Sequence, residues 1–342
     1  MCRDDGSDGV TQDSKQASGE DSLIARYFKP LATDLGAFGL DDDAAALKAG
    51  GEEIVVTTDA IVEGVHFLAG DPPDTLARKA LRVNLSDIAA KGAVPAGFVL
   101  TLALRGADES WLAPFAQALG EDASHYGCPL LGGDTVSTPG PLMISVTAFG
   151  RLPQGRMVHR AGAKAGDRVF VTGTIGDAAL GLDVLRGGVA ASALADDAAA
   201  RDWLASRYRV PQPRNALALA VREHARAAMD VSDGLAGDLA KLCVASGVSA
   251  EIELPRIPHS PAAAALLARG AVGVEALIAG GDDYEILCTV PAGRADAFVQ
   301  AAQGAGVAVA AIGQIVAGRA RPRFLDGQGA ELTLKRLSYS HF

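Results

Sequence analysis

The chain has little of what would place it in a disulfide framework, a zinc site or a membrane. Its four cysteines, Cys2, Cys128, Cys243 and Cys288, are scattered through 342 residues with no C-x-x-C pair, and no zinc spacing of Cys or His exists. Cys128, Cys243 and Cys288 lie in or beside apolar segments, where a buried free thiol is the ordinary state. No apolar run approaches a membrane span. The first residues, rich in Asp and Gly, offer no apolar core for a signal peptide. The expectation is a cytoplasmic protein without a membrane partner. Positive charge is scarce as well: 31 Lys and Arg face 41 Asp and Glu, a formal net charge of −10. That balance argues against nucleic acid as a partner. No Ser-His-Asp or Cys-His constellation can be fixed, and no Gly-rich loop ends in Gly-Lys-Ser/Thr. An enzyme for anionic phosphates built on this chain has to recruit positive charge locally, from Arg, Lys or metal ions.

What is present is a globular composition, 49% hydrophobic and 21% charged, with length enough for two domains. Residues 1–19 are polar and read as a disordered leader. An amphipathic helix begins at Asp21 or Ser22 and is closed by Pro30. Pro153-Gln154-Gly155 reads as a hinge, dividing residues 20–153 from residues 154–342. Helical periodicity marks Asp74 to Lys91, Asp108 to Tyr126, Ala198 to Tyr208, Arg214 to Ala228 and Arg294 to Gln303. Gly97 to Leu104, Leu142 to Leu152, Arg168 to Thr172 and Val307 to Val316 read as strands.

Acidic turns recur beside apolar runs. Ile54-Val55-Val56 reads as a buried strand ending in Thr57-Thr58-Asp59, two hydroxyls and a carboxylate that suit a hard cation such as magnesium; ordinary strand residues before a turn are the alternative. Asp41-Asp42-Asp43 repel one another, and either water and counterions or a divalent ion relieves that. Asp87 lies on a largely apolar helical stretch and needs a partner: Arg82, Lys91, a metal or a positioned water. Gly132-Gly133-Asp134 follows another apolar run, its glycines allowing close backbone approach to a ligand. Gly173-Thr174-Ile175-Gly176-Asp177 joins a strand to a helix and offers either a phosphate cradle or simple packing. Met229-Asp230-Val231-Ser232-Asp233 places two carboxylates and a hydroxyl before a helix that Ser232 or Asp233 could cap. Gly280-Gly281-Asp282-Asp283-Tyr284-Glu285 is the last acidic turn. Several Mg²⁺ ions would reconcile so many carboxylates with phosphates.

As an ordered set, these segments resemble the thiamine-monophosphate kinases of the aminoimidazole-ribonucleotide synthetase-like superfamily. The carriers are Ser22-Leu23-Ile24-Ala25-Arg26-Tyr27-Phe28, Asp42-Asp43, Thr57-Thr58-Asp59, Gly64-Val65-His66-Phe67, Val83-Asn84-Leu85-Ser86-Asp87, Gly132-Gly133-Asp134-Thr135, Arg160-Ala161-Gly162, Asp230-Val231-Ser232-Asp233-Gly234 and Gly280-Gly281-Asp282-Asp283-Tyr284-Glu285. The resemblance implies an α/β (α+β) fold of two domains. The N-terminal domain would form a β-barrel across a homodimer, and the C-terminal α/β domain would pack alongside. It implies magnesium-dependent transfer of the ATP γ-phosphoryl group to thiamine monophosphate, with no covalent nucleophile or strong base. Carried over by position, the magnesium ligands are Asp43, Thr57, Thr58, Asp59, Asp87, Asp134, Asp230 and Asp233. ATP contacts are Gly133, Asp134, Arg160 and Ser232, and substrate contacts are His66, Asp282 and Tyr339. Asp41 stands where the family usually has glycine, and Asp282 where glutamate is common. Sister enzymes of the superfamily carry reactive cysteines near the N-terminal Gly-rich segment or at the C-terminus, which this sequence lacks. A non-catalytic relative would have lost metal ligands, and the principal carboxylates are all here.

Overall fold

Two sheets with one buried helix between them organise the chain. The computed structural model describes residues 35–106, 108–336 and 338. The polar leader, the helix expected from Asp21 and the substrate contact expected at Tyr339 lie outside the described residues. The first sheet comprises β1 (Ala45–Ala49), β2 (Glu52–Val62), β3 (Val94–Leu104), β4 (Leu130–Ser137) and β5 (Met143–Pro153) in the order β1-β2-β5-β3-β4. All pairs are antiparallel except β3 with β4. Strand β2 shows the period of two that a half-covered sheet requires, broken at one position: Val55, Thr57 and Ile61 are buried and Thr58 and Ala60 exposed, but Asp59, in phase with the buried set, is exposed too. The strand does not end at Asp59. It runs on to Val62, with Asp59 paired to Val146 and Val62 to Met143.

The barrel expected for this half is overturned: the sheet is open, with β1 and β4 at opposite edges. The connectivity gives the reason. Strand β1 is the short arm of a hairpin on β2, and β4 joins β3 in parallel after a helical crossover, which adds it outward rather than returning it to β1.

Helix α1 (Pro73–Ala90) has 14 buried residues. One side packs on β2 and β5, the other on β7 (Ala227–Asp230) and β9 (Ile286–Val290) of the second sheet. Its close seating depends on Gly150, where a Cβ would fall 2.8 Å from Ile88 Cγ2. Helix α2 (Glu109–His125), capped by Asp108 accepting from the Ser110 N–H, covers α1. The second sheet runs β11-β8-β10-β6-β9-β7, where β6 is Arg168–Thr172, β8 Ser249–Glu253, β10 Val309–Val316 and β11 Arg323–Leu325. Its helices include α3 (Asp177–Leu185), α4 (Val189–Ala193), α5 (Ala198–Arg209), α6 (Ala218–His224) and α7 (Leu235–Ser246). The helix expected over residues 214–228 stops at His224, because Ala227–Asp230 pairs with β9 and is buried throughout. Sheet pairing there overrides alanine's helical preference. Cys128, Cys243 and Cys288 are free and buried as expected. Among the described residues, no helix is long and apolar enough to cross a membrane.

Gly133 was expected to approach a ligand, and what it approaches is the neighbouring strand: a Cβ there would fall 2.0 Å from the Leu100 carbonyl oxygen. Gly133→Ala is therefore expected to cost about 2 kcal/mol of stability by forcing β4 off β3. Denaturant unfolding measures this, and an unchanged midpoint would show that the strand has room.

Candidate active site

A cavity of roughly 630 Å³ opens where α1 meets both sheets. Strand β2 delivers Thr57, Thr58 and Asp59, α1 delivers Asp87, and the end of β7 delivers Asp230 with Ser232 and Asp233 just beyond. The Asp87 carboxylate accepts a 2.6 Å hydrogen bond from the Thr57 hydroxyl, and the Asp59 N–H donates to Asn84 of α1 at 3.0 Å. Asp87 thus takes a partner that its own helix does not supply. Arg82 is committed to Asp122 at 2.6 Å, and Lys91 reaches the aspartate triplet.

That triplet divides its labour. Asp41 is exposed. Asp42 accepts from the Arg160 N–H at 3.0 Å and meets His159 at 3.2 Å and Lys91 at 2.8 Å. Burial would raise its pKa, but the His159 hydrogen bond and the Lys91 charge hold the carboxyl well below its ordinary value. Asp43 faces the cavity, between Lys91 at 2.5 Å and the Arg160 guanidinium. Lys91 itself is fully buried, its third contact being the Ala228 carbonyl at 2.9 Å.

Asp59, Asp87 and Asp230 have no such cation among the described residues. Asp59 is open to the cavity but otherwise enclosed by protein; burial, then the charges of Asp43 and Asp233, push its pKa up to about 6. Burial and then neighbouring aspartates raise Asp87 and Asp230 well above the usual carboxylate range. Asp233 is held by Lys241. Among the described residues no three carboxylate, His or Cys side chains are already gathered as a metal centre, and Asp43 and Asp233 are turned toward resident cations. The donor set nevertheless fits magnesium: every candidate ligand is a hard oxygen, and the unpaired carboxylates repel one another.

Eleven expected site residues line this one cavity: Asp43, Thr57, Thr58, Asp59, His66, Asp87, Arg160, Asp230, Ser232, Asp233 and Asp282. Gly133 and Asp134 do not. They lie in β4, whose residues are all exposed, with Asp134 opposite Thr101 of β3. Neither Ser232 nor Asp233 caps α7; Gly234 takes the cap position and makes no side-chain cap bond. The Gly173–Asp177 turn does not present open amides for phosphate either. The buried Asp283 carboxylate fills that helix start, accepting from the N–H of Gly176 at 2.7 Å and of Ala178 at 3.2 Å. Arg186, Tyr208, Lys241 and Arg336 also line the cavity and escaped the sequence reading. Lys241 alone left a signal, standing three residues after Asp238, to which it pairs at 3.1 Å.

The two halves of the chain match known domains in series. Residues 41–152 match the N-terminal domain of AIR synthase related proteins, and residues 164–323 match the C-terminal domain of the same proteins. The site is thus carried on an AIR synthase-related scaffold. A thiamine-monophosphate kinase of Caulobacter vibrioides is 46% identical over 93% of this chain and 89% of its own. The crystal structure of thiamine-monophosphate kinase from Stenotrophomonas maltophilia superposes with a TM-score of 0.75 at 37% identity, covering 91% of this chain and 96% of that one. The structure of AaThiL complexed with AMPPCP and TMP gives 0.76 at 29% identity, covering 90% and 97%. The chain belongs to the thiamine-monophosphate kinase family.

Beneath the Gly280–Glu285 loop sits a buried ionic clamp. Glu285 is fully buried, bonded to Arg207 at 2.9 Å, to Arg214 Nε at 2.6 Å and to the Thr172 hydroxyl at 2.6 Å. Removing one partner strands the other charges away from water. Glu285→Gln is expected to lower stability by about 3–5 kcal/mol, read by chemical denaturation. A loss below about 1 kcal/mol would mean that water replaces the carboxylate.

Proposed function

We propose that this protein transfers the γ-phosphoryl group of ATP to the phosphate of thiamine monophosphate, giving thiamine diphosphate and ADP. The observation that carries the reading is the convergence of carboxylates from both halves of the chain on one cavity, in a member of this family. An oxygen of the acceptor phosphate attacks the γ-phosphorus, and the bond to the ADP oxygen breaks. That oxygen is already largely ionised near neutral pH, so no strong base or covalent nucleophile is needed. Positioning and charge neutralisation supply the catalysis.

Asp43, Thr57, Thr58, Asp59, Asp87, Asp230 and Asp233 would hold several Mg²⁺ ions, whose chemistry is to neutralise the phosphates. Arg160 and Ser232 would meet ATP, and His66, Asp282 and Tyr339 the thiamine phosphate. Gly133 and Asp134 complete the proposed ATP contacts, with Asp134 also a proposed magnesium ligand; support for both is the family motif alone. A homodimer is favoured by β4, an edge strand exposing Leu130, Leu131 and Val136 at 51%, 62% and 44%. The division into domains of residues 20–153 and 154–342 is favoured by the separate sheets. A cytoplasmic location suits free cysteines and ATP as co-substrate.

Purified protein with MgATP and thiamine monophosphate is expected to form thiamine diphosphate, identified by chromatography, and free thiamine is expected to be a poor acceptor. Absence of product from folded, magnesium-replete protein would refute the reading. Asp59→Asn is expected to keep the fold, with a melting temperature equal to or above that of the wild type because a repelled charge is removed, and to lose about a hundredfold or more in turnover, with partial rescue by raised magnesium. Near-normal turnover at ordinary magnesium would remove Asp59 from the site.

A further inference from the structure

One cation beside the cavity has no part in the chemistry above. Lys79 of α1 is 1% exposed. Its ammonium group donates to the His66 carbonyl at 2.8 Å and to Asp282 Oδ2 at 2.9 Å, and lies 3.8 Å from the centre of the Tyr208 ring. The Tyr208 hydroxyl donates to the same His66 carbonyl at 3.0 Å. An ammonium has three donors, and here two meet oxygens while an aromatic face covers the remainder. Burying such a charge is costly, and an apolar side chain would fill the space more cheaply.

The cation ties together two segments distant in sequence. His66 lies just past β2, its ring oriented by the Val62 N–H donating to Nδ1 at 3.0 Å. Asp282 sits at a left-handed φ of 72°, a conformation that costs a residue with a Cβ about 1 kcal/mol or more and must be held from outside. Its N–H is held by the Ser232 carbonyl at 2.7 Å, and its carboxylate by Lys79.

We propose that Lys79, with Tyr208, is the positioning residue of the acceptor side, fixing His66 and Asp282 for thiamine monophosphate while leaving the nucleotide side untouched. The inference rests on the proposed reaction. Lys79 itself bonds to none of Asp43, Arg160 or Ser232. The link to the nucleotide side is the backbone bond from Asp282 to the Ser232 carbonyl, which does not involve the Asp282 carboxylate that Lys79 holds, so its effect falls chiefly on one substrate.

The test is steady-state kinetics with each substrate varied in turn, alongside melting temperatures. Lys79→Met is expected to raise KM for thiamine monophosphate about tenfold or more, with KM for ATP within about twofold. Tyr208→Phe keeps the ring and loses the hydroxyl, and is expected to shift the same constant in the same direction by a smaller factor. Because Lys79 acts partly through Asp282, the Lys79→Met and Asp282→Asn effects on that KM are expected to fall short of multiplying. A packing role instead predicts a lowered melting temperature with no difference between substrates. If folded Lys79→Met shows an unchanged or lower KM for thiamine monophosphate, the inference is overturned. Should that variant not fold, Tyr208→Phe decides alone, and equal effects on both substrates overturn it. Wild-type protein that cannot phosphorylate thiamine monophosphate refutes the function and this inference together. Active wild type with no substrate-selective effect refutes only the role of Lys79.

Discussion

Repulsion between like charges is the constraint to which the rest of this structure answers. The fold brings carboxylates from β2, α1, the β7 end and two loops into one cleft. Two unit charges 4 Å apart in such surroundings interact by about 4 kcal/mol, a large fraction of a domain's net stability. The chain meets the cost in two ways. Asp42, Asp43 and Asp233 are given resident cations in Lys91, Arg160 and Lys241. Asp59, Asp87 and Asp230 are given none among the described residues, and shift toward the protonated form instead.

Helix α1 is what makes this arrangement possible. It is buried on both sides, yet it carries Lys79, Arg82, Asn84, Ser86 and Asp87, with Lys91 at its C-terminal cap. Polar groups so enclosed must be bonded, and most of them reach a different element. Arg82 reaches Asp122 of α2, Asn84 reaches β2, and Lys91 reaches both the aspartate triplet and β7. The helix therefore locks the first sheet against the second at the depth where the carboxylates meet. Its apolar surface supplies adhesion, and its polar residues supply register.

Much of this was legible in the sequence, and the residues that were not share a cause. Thr57, Asp87, Asp230 and Asp233 announced themselves because each stands beside an apolar run where an oxygen ligand is out of place. The extent of β2 was misread at Asp59, since Thr-Thr-Asp reads as a strand end; ladder pairing with β5, a contact between distant segments, carries the strand to Val62. Closure of the first sheet failed for the same reason, being a property of strand order rather than of any one segment. Gly133 was legible as a close approach but not as an approach to Leu100. Lys79 carries a local signal: a lysine on the apolar face of α1, one residue before Ala80, needs a buried partner as surely as Asp87 does. Its partners, His66 and Asp282, come from opposite halves of the chain, and no local pattern joins them.

The same distribution of charge supports the proposal that the reaction depends on divalent ions. Among the described residues, six carboxylates line the cavity against four cationic side chains, Arg160, Arg186, Lys241 and Arg336. Two of those four, Arg160 and Lys241, are already bound to Asp43 and Asp233. A terminal phosphate alone brings a further charge of about −1.5 to −2. Side chains by themselves would therefore hold two phosphate-bearing molecules against a surplus of negative charge. Lysines in place of Asp59, Asp87 and Asp230 would attract the phosphates, but would hold them as strongly after transfer as before it. Carboxylates carrying exchangeable cations, as proposed above, would neutralise the bound phosphates while leaving the protein itself no permanent grip on the product. On this view crowded carboxylates with raised pKa values are the form a cleft takes when its positive charge arrives with the substrate.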